Sequence, residues 1–260
     1  MFCSEQTSSI KTENDNTTMS IKNGALNAKF DNNQAIEIDP DCDELNYTAR
    51  YTSVSGGMQG EIRSSELRTP MLNIVQNVGP LSENHRAGEI LLDKQTKLSS
   101  GAEPIEITIL GCKKYYQEKV AYGSDARPNI FETEAEVSQA GGSLEWTNNQ
   151  PPSYEPVILV TGLIQCPDGV MGAFPYTYEG ADYAICRWFI RGKAFKEAGR
   201  TLLTHASQLA SIGNPLCSVR MELTSRREKL KNGNTVVVPV LHMKGKHDAG
   251  FVAFASGLLA

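Results

Sequence analysis

Lys113, Lys114, Tyr115 and Tyr116 stand side by side in a chain whose formal charge is -5. Such a run supplies what a single-stranded nucleic acid takes from a protein: cations for its phosphates and flat rings for its bases. Two further runs offer the same chemistry. In ADYAICRWFIRG the side chains of an extended strand alternate. Tyr183, Ile185, Arg187, Phe189 and Arg191 then share one face, and Ala184, Cys186, Trp188 and Ile190 the other. The first face mixes cations with an aromatic ring; the second reads as core, Trp188 included. The third run is Arg226, Arg227, Lys229 and Lys231, with Arg220 upstream, on an arm expected to project beside the turn signal Asn232-Gly233. Any one of these runs could be a wet surface. Three of them in an acidic chain point to a polyanion.

Other chemistry is thinly supplied. There is no GxGxxG after a strand, no GxxxxGK[ST], no HExxH and no GxSxG in the sequence. Glu132, Glu134 and Glu136 alternate on a segment read as extended, but no second acidic cluster completes a magnesium site. His242, His247 and Asp248 are near one another, yet Lys244 and Lys246 beside them oppose a cation. The six cysteines form no CxxC pair and, with no secretory leader expected from the polar N-terminus, are read as reduced thiols of a cytoplasmic protein. The expectation is a non-enzymatic protein with no catalytic residue, no metal and no cofactor.

The elements that must carry these residues are mostly strands. MLNIVQNV, GEILLD, PIEITILGCKKYYQEKVAY, PVILVTGLIQC and ADYAICRWFIRG each read as extended. In the third, Ile105, Ile107 and Ile109 point one way and Glu106, Thr108 and Leu110 the other. A single strong helix follows in KAFKEAGRTLLTHASQLASIG. Phe195, Ala198, Leu202, Ala206 and Leu209 form its apolar stripe, and Lys193, Lys196 and Arg200 its wet side. Two strands joined by a turn come next, and Pro239 predicts a sheet edge or bulge in the second. FVAFASGLLA is an apolar tail expected to dock. The order predicts a mainly β fold with one principal helix, an OB-like Greek-key β-barrel with extensions.

Residues 1–30 read as a flexible tail, 31–68 as an acidic, partly ordered extension, and 69–260 as a single barrel-like nucleic-acid-binding domain. Charge follows this division unevenly. Residues 187–260 hold 12 bases and 4 acids, net +8, against an acidic remainder.

PMLNIVQNVG, GEILLD, IEITILGCKKYYQE, VTGLIQC, FIRGKAFKEAGRTLL and ELTSRREKLKNGNTVVVPVL occur in an order that resembles proteins of tailed phages and prophages similar to phage single-stranded DNA-binding proteins of the OB-fold type. The likeness covers about Pro70 to Met243 and is a pattern of strands and one helix. It implies a protein of phage DNA replication or recombination in the host bacterial cytoplasm. That protein would bind single-stranded DNA, or RNA, with little regard to sequence. Partners would be replication or recombination proteins, with homo-oligomerisation open and no membrane involved. One departure stands out. The family's acidic C-terminal tail is missing from FVAFASGLLA, and the acidic run lies at Asp39 to Glu44 instead, so recruitment through the usual tail is not expected. The rival reading is a phage virion or assembly protein that makes protein contacts.

Overall fold

The computed structural model describes residues 68–121, 126–147, 149–170, 172, 174–230 and 233–258. The tail and, except for Arg68, the acidic extension expected at the N-terminus lie outside them, as does Lys231.

Five long antiparallel strands build the main sheet: β4 (Ile105–Glu118), β6 (Tyr154–Gln165), β8 (Ala181–Arg191), β9 (Val219–Lys229) and β10 (Thr235–Lys246). Their spatial order is β10-β9-β4-β6-β8, with the short β7 (Tyr176–Tyr178) outside β8 and β5 (Ile130–Phe131) beside the far end of β4. Three strands in sequence lie side by side and the fourth returns to pair with the first, which is the Greek-key order. The connection that returns is the helix: α2 (Gly192–Ala194), a π-helical turn (Phe195–Gly199) and α3 (Arg200–Ser211). The mainly β class with one main helix therefore holds.

The expected barrel does not close among the described residues. The third strand, β8, and the fifth, β10, do not pair. A second sheet, β1 (Leu72–Ile74), β2 (Ile90–Leu92) and β3 (Thr96–Ser99), fills the opening. Its first strand touches both edges. Arg187 N–H donates to the Pro70 carbonyl (2.8 Å). Six residues on, the Gln76 side-chain amide pairs with both backbone groups of Val237 (3.0 and 3.1 Å), and the Asn77 amide donates to the Thr235 carbonyl. Side-chain amides thus do the work of a ladder at β10. Gly101 seals the junction from below: its carbonyl accepts from Ser225 N–H (2.8 Å), and Ser225 Oγ donates to the Gly88 carbonyl (2.6 Å).

The inner face of the main sheet is the core. Ile107, Ile158, Val160, Ile164, Cys186, Trp188, Ile190, Met221 and Leu223 pack there against Ala198 and Leu202 of the helix and Leu72, Ile90 and Leu98 of the small sheet. Gly199 lets the helix sit close: a Cβ there would lie 3.1 Å from Ile158 Cδ1. The apolar tail docks as expected, as a helix, α4 (Ala249–Gly257), capped by Asp248, which accepts from Phe251 N–H (2.8 Å). Among the described residues, no helix is long and apolar enough to cross a membrane.

Candidate nucleic-acid interface

A β-bulge decides which side of β4 meets solvent. Ile105, Ile107 and Ile109 point inward, and strict alternation would send Lys113 and Tyr115 inward with them. Instead the register slips at Leu110: Ile109 pairs with Gly162, but Gly111 pairs with Thr161. One extra residue reverses the facing of everything beyond it. Lys113 and Tyr115 therefore lie on the outer face, opposite Leu159 and Val157.

The next strand completes the row. Leu159 pairs with Phe189, Val157 with Arg191 and Thr161 with Arg187. Lys113, Tyr115, Arg187, Phe189 and Arg191, from two distant segments, thus share one outer face, as the alternation of β8 anticipates. They are not equally available. Arg191 is exposed, while Phe189, Arg187 and Lys113 are half-buried. Tyr115 is only 6% exposed and packs with Ile130 and Val157 beneath Phe189 and Leu159. Burial pushes its phenol up to about 12, against a smaller opposing pull from the Arg191 guanidinium. Tyr115 supports the row and is not itself an open stacking surface. Lys113 is held by Glu132 (2.6 Å). The Arg191 side chain has no ion pair or hydrogen bond among the described residues, only its field on Tyr115.

Five expected contributors are elsewhere. Tyr116 and Lys114 turn to the opposite face, the cost of the same bulge. Tyr116 is 4% exposed, packed with Val137 and Tyr154. Lys114 Nζ donates to its hydroxyl (2.6 Å), which donates to Glu134 (2.6 Å). Arg226 is not on a projecting clamp: it binds Glu197 of the π-helical turn (2.8 Å), and Lys193 next to it binds Glu228 (2.7 Å). The arm is therefore pinned back onto the helix. Arg227 reaches the Ala87 carbonyl (3.4 Å) and Lys229 is exposed beyond it.

The glutamates read as an extended row sit otherwise. Glu134 and Glu136 belong to a short helix, α1 (Glu134–Gln139), where Thr133 and Glu136 form a capping box. The signal was the T-x-x-E spacing itself. Among the described residues, no group of His, Cys, Asp and Glu could hold a metal ion.

The lower half of the outer face is covered. Phe251 and Ala255 of α4 are buried against Leu110, Leu163 and Tyr183, with Ile185 half-buried beside them. His247, just before the helix, bonds Thr108 Oγ1 through Nε2 (2.7 Å) and stacks on Phe251 (3.9 Å between ring centres). Comparison of the chain with protein-family models, curated proteins and solved structures finds no match.

Proposed function

We propose that this protein binds single-stranded nucleic acid, without catalysis, on the uncovered half of the outer face of β4, β6 and β8. The observation that carries this is the convergence of Arg191, unpartnered among the described residues, with the half-open ring of Phe189 and with Lys113 across three neighbouring strands. In OB-type Greek-key barrels the face of the second and third strands is the ligand face, and β6 and β8 are the second and third long strands of the main sheet in chain order. The Phe189 ring would stack a base, while Lys113, Arg187 and Arg191 would contact phosphates on either side of it. Neither kind of contact reads sequence. A role in phage DNA replication or recombination follows from the resemblance and rests on it alone.

The virion or assembly reading has one observation in its favour. Much of the basic C-terminal part is already matched internally: Arg220 to Glu106, Lys244 to Glu222, Arg226 to Glu197. Titration of a labelled oligo-dT at low and moderate salt separates the two. Binding that weakens with salt, and that drops roughly 5- to 150-fold in Phe189→Ala for the loss of one stacked base, is the expected result. No binding at low salt, with self-assembly into larger particles, would replace this proposal with the assembly reading.

A further inference from the structure

We infer that α4 is the wall that fixes how much single strand the outer face can take, limiting each copy to a short segment. This inference rests on the single-strand reading of that face. The face is a ladder of rows, each with one residue from β4, β6 and β8. Leu163 and Ile185 form one row and Gln165 and Tyr183 the next. The second row runs on into β7, where Tyr176 pairs with Tyr183, and Tyr178 pairs with Ala181 one row further. Without α4 they would present Tyr183, Tyr178 and Tyr176 to solvent. That is a second aromatic platform on the same face as Phe189, three rows along β8 from it, where a longer strand could stack further bases.

The helix removes that platform. Phe251 is 3% exposed and Ala255 fully buried against the rows. Tyr178 is spent on α4: its ring lies stacked on Phe254 (5.1 Å) and edge-on to Phe251 (5.4 Å). Tyr183 also meets Phe251 (5.6 Å). The wall is fixed at its start by the His247–Thr108 bond, by His247 stacked on Phe251, and by the Asp248 cap. On the far side, Ile130 of β5 packs over Tyr115 and Val157. What stays open is the row Lys113, Leu159, Phe189 with Arg187 below and Arg191 above. Three strands at their usual spacing span about 10 Å between the outer axes, and rows on one face lie about 7 Å apart. Such a strip holds one stacked base and its neighbouring phosphates, no more than the low end of the roughly 4–16 nucleotides that OB-type sites cover.

The test is the length at which affinity stops rising. Oligo-dT of 3, 4, 6, 9 and 15 nucleotides would be titrated at low salt against the full chain and against Phe251→Asp, which puts a charge under the wall. After correction for the number of overlapping positions on longer oligomers, affinity for the full chain is expected to level off by about four nucleotides. In the variant it should keep rising for at least two or three more. Should Phe251→Asp not fold, crosslinking of 4-thiothymidine oligomers to the full chain decides the matter. Adducts are expected in the peptide holding Phe189 and Arg191, and none in residues 176–183 or 249–257. A plateau beyond about eight nucleotides in the full chain, an unchanged plateau in a folded variant, or adducts in the α4 or β7 segments would overturn the wall and leave the single-strand reading standing. No binding at any length removes both.

Discussion

At the scale of single residues, the outer face owes its character to what each cation is already doing. Lys113 and Arg191 share that face, but Lys113 is engaged by Glu132 at 2.6 Å, and both side chains are substantially exposed, 40% and 57%. An exposed pair of this kind contributes about 0–1 kcal/mol, too little to hold Lys113 from a phosphate but enough to tax binding. Glu132 also adds a negative charge where a strand would lie. Replacing it with glutamine should therefore strengthen oligo-dT binding, by roughly 2- to 5-fold at low salt, and leave thermal stability nearly unchanged. Equal or weaker binding in Glu132→Gln would mean that no phosphate approaches Lys113. The contrast with Arg226 is instructive. Its partner Glu197 also binds Lys193, and Lys193 also binds Glu228, so this arginine belongs to a network that holds the arm, and its charge is spent there.

At the scale of elements, two joints hold the strand plan together. One is the meeting of Gly88, Gly101 and Ser225, which fastens the small sheet to β9. Gly101 has φ +90, and a Cβ there would lie 1.9 Å from the Gly88 carbonyl oxygen. The obstacle is backbone, so it cannot swing aside. Gly101→Ala should cost on the order of 3 kcal/mol and lower Tm by roughly 6–12 °C; a scanning-calorimetry shift under about 2 °C would show that the joint yields. The other is the docking of α4 through His247. Burial first, and then the nearby Arg220 charge, lower the His247 imidazole from 6.5 to about 4, with Asp248 pulling weakly the other way. Between those values the unfolded chain holds a proton that the folded one rejects, so stability falls as pH drops through that window and is level above it. The ring is partly in solvent, which limits the loss to about 1 kcal/mol. Urea unfolding at pH 7.5 and pH 5 should show that loss in the native chain and a smaller one in His247→Gln. The long strands, the helix with its stripe of Ala198, Leu202 and Leu209, and the inward Trp188 were all legible in the sequence, because burial on one face writes a period. The bulge at Leu110 was not. An extra residue leaves no mark in the alternation until the pairing register is known, and it is this residue that turns Lys113 and Tyr115, in place of Lys114 and Tyr116, to the outer face. The strands β3, β5 and β7 are too short, at two to four residues, to show a period at all.

At the scale of the whole molecule, the proposed function would have an acidic protein bind a polyanion against its own field. The basic residues of the C-terminal part suggest a large favourable potential, but the ion pairs across β4, β9, β10 and the helix cancel much of it locally. Arg220 meets Glu106, Lys244 meets Glu222, and Arg226 and Lys193 meet Glu197 and Glu228. The cations on the outer face are few: Lys113, itself paired with Glu132, together with Arg187 and Arg191. Each phosphate neutralised on a single strand contributes about -0.7 to the slope of log K against log salt concentration. Two or three contacts then predict a slope of roughly -1.4 to -2.1 for oligo-dT, shallow for a nucleic-acid-binding protein. Arg191→Gln should make it shallower by about 0.7, whereas Lys196→Gln on the wet side of the helix should not change it. A slope steeper than about -4 in the native chain would require more cations than this face holds. It would bring the exposed Lys196, Arg200, Arg227 and Lys229 into the binding surface and move the strand off β6 and β8 toward the arm. The slope therefore measures, in one titration series, whether the binding surface is the narrow strip between β5 and α4 or the basic half of the molecule as a whole.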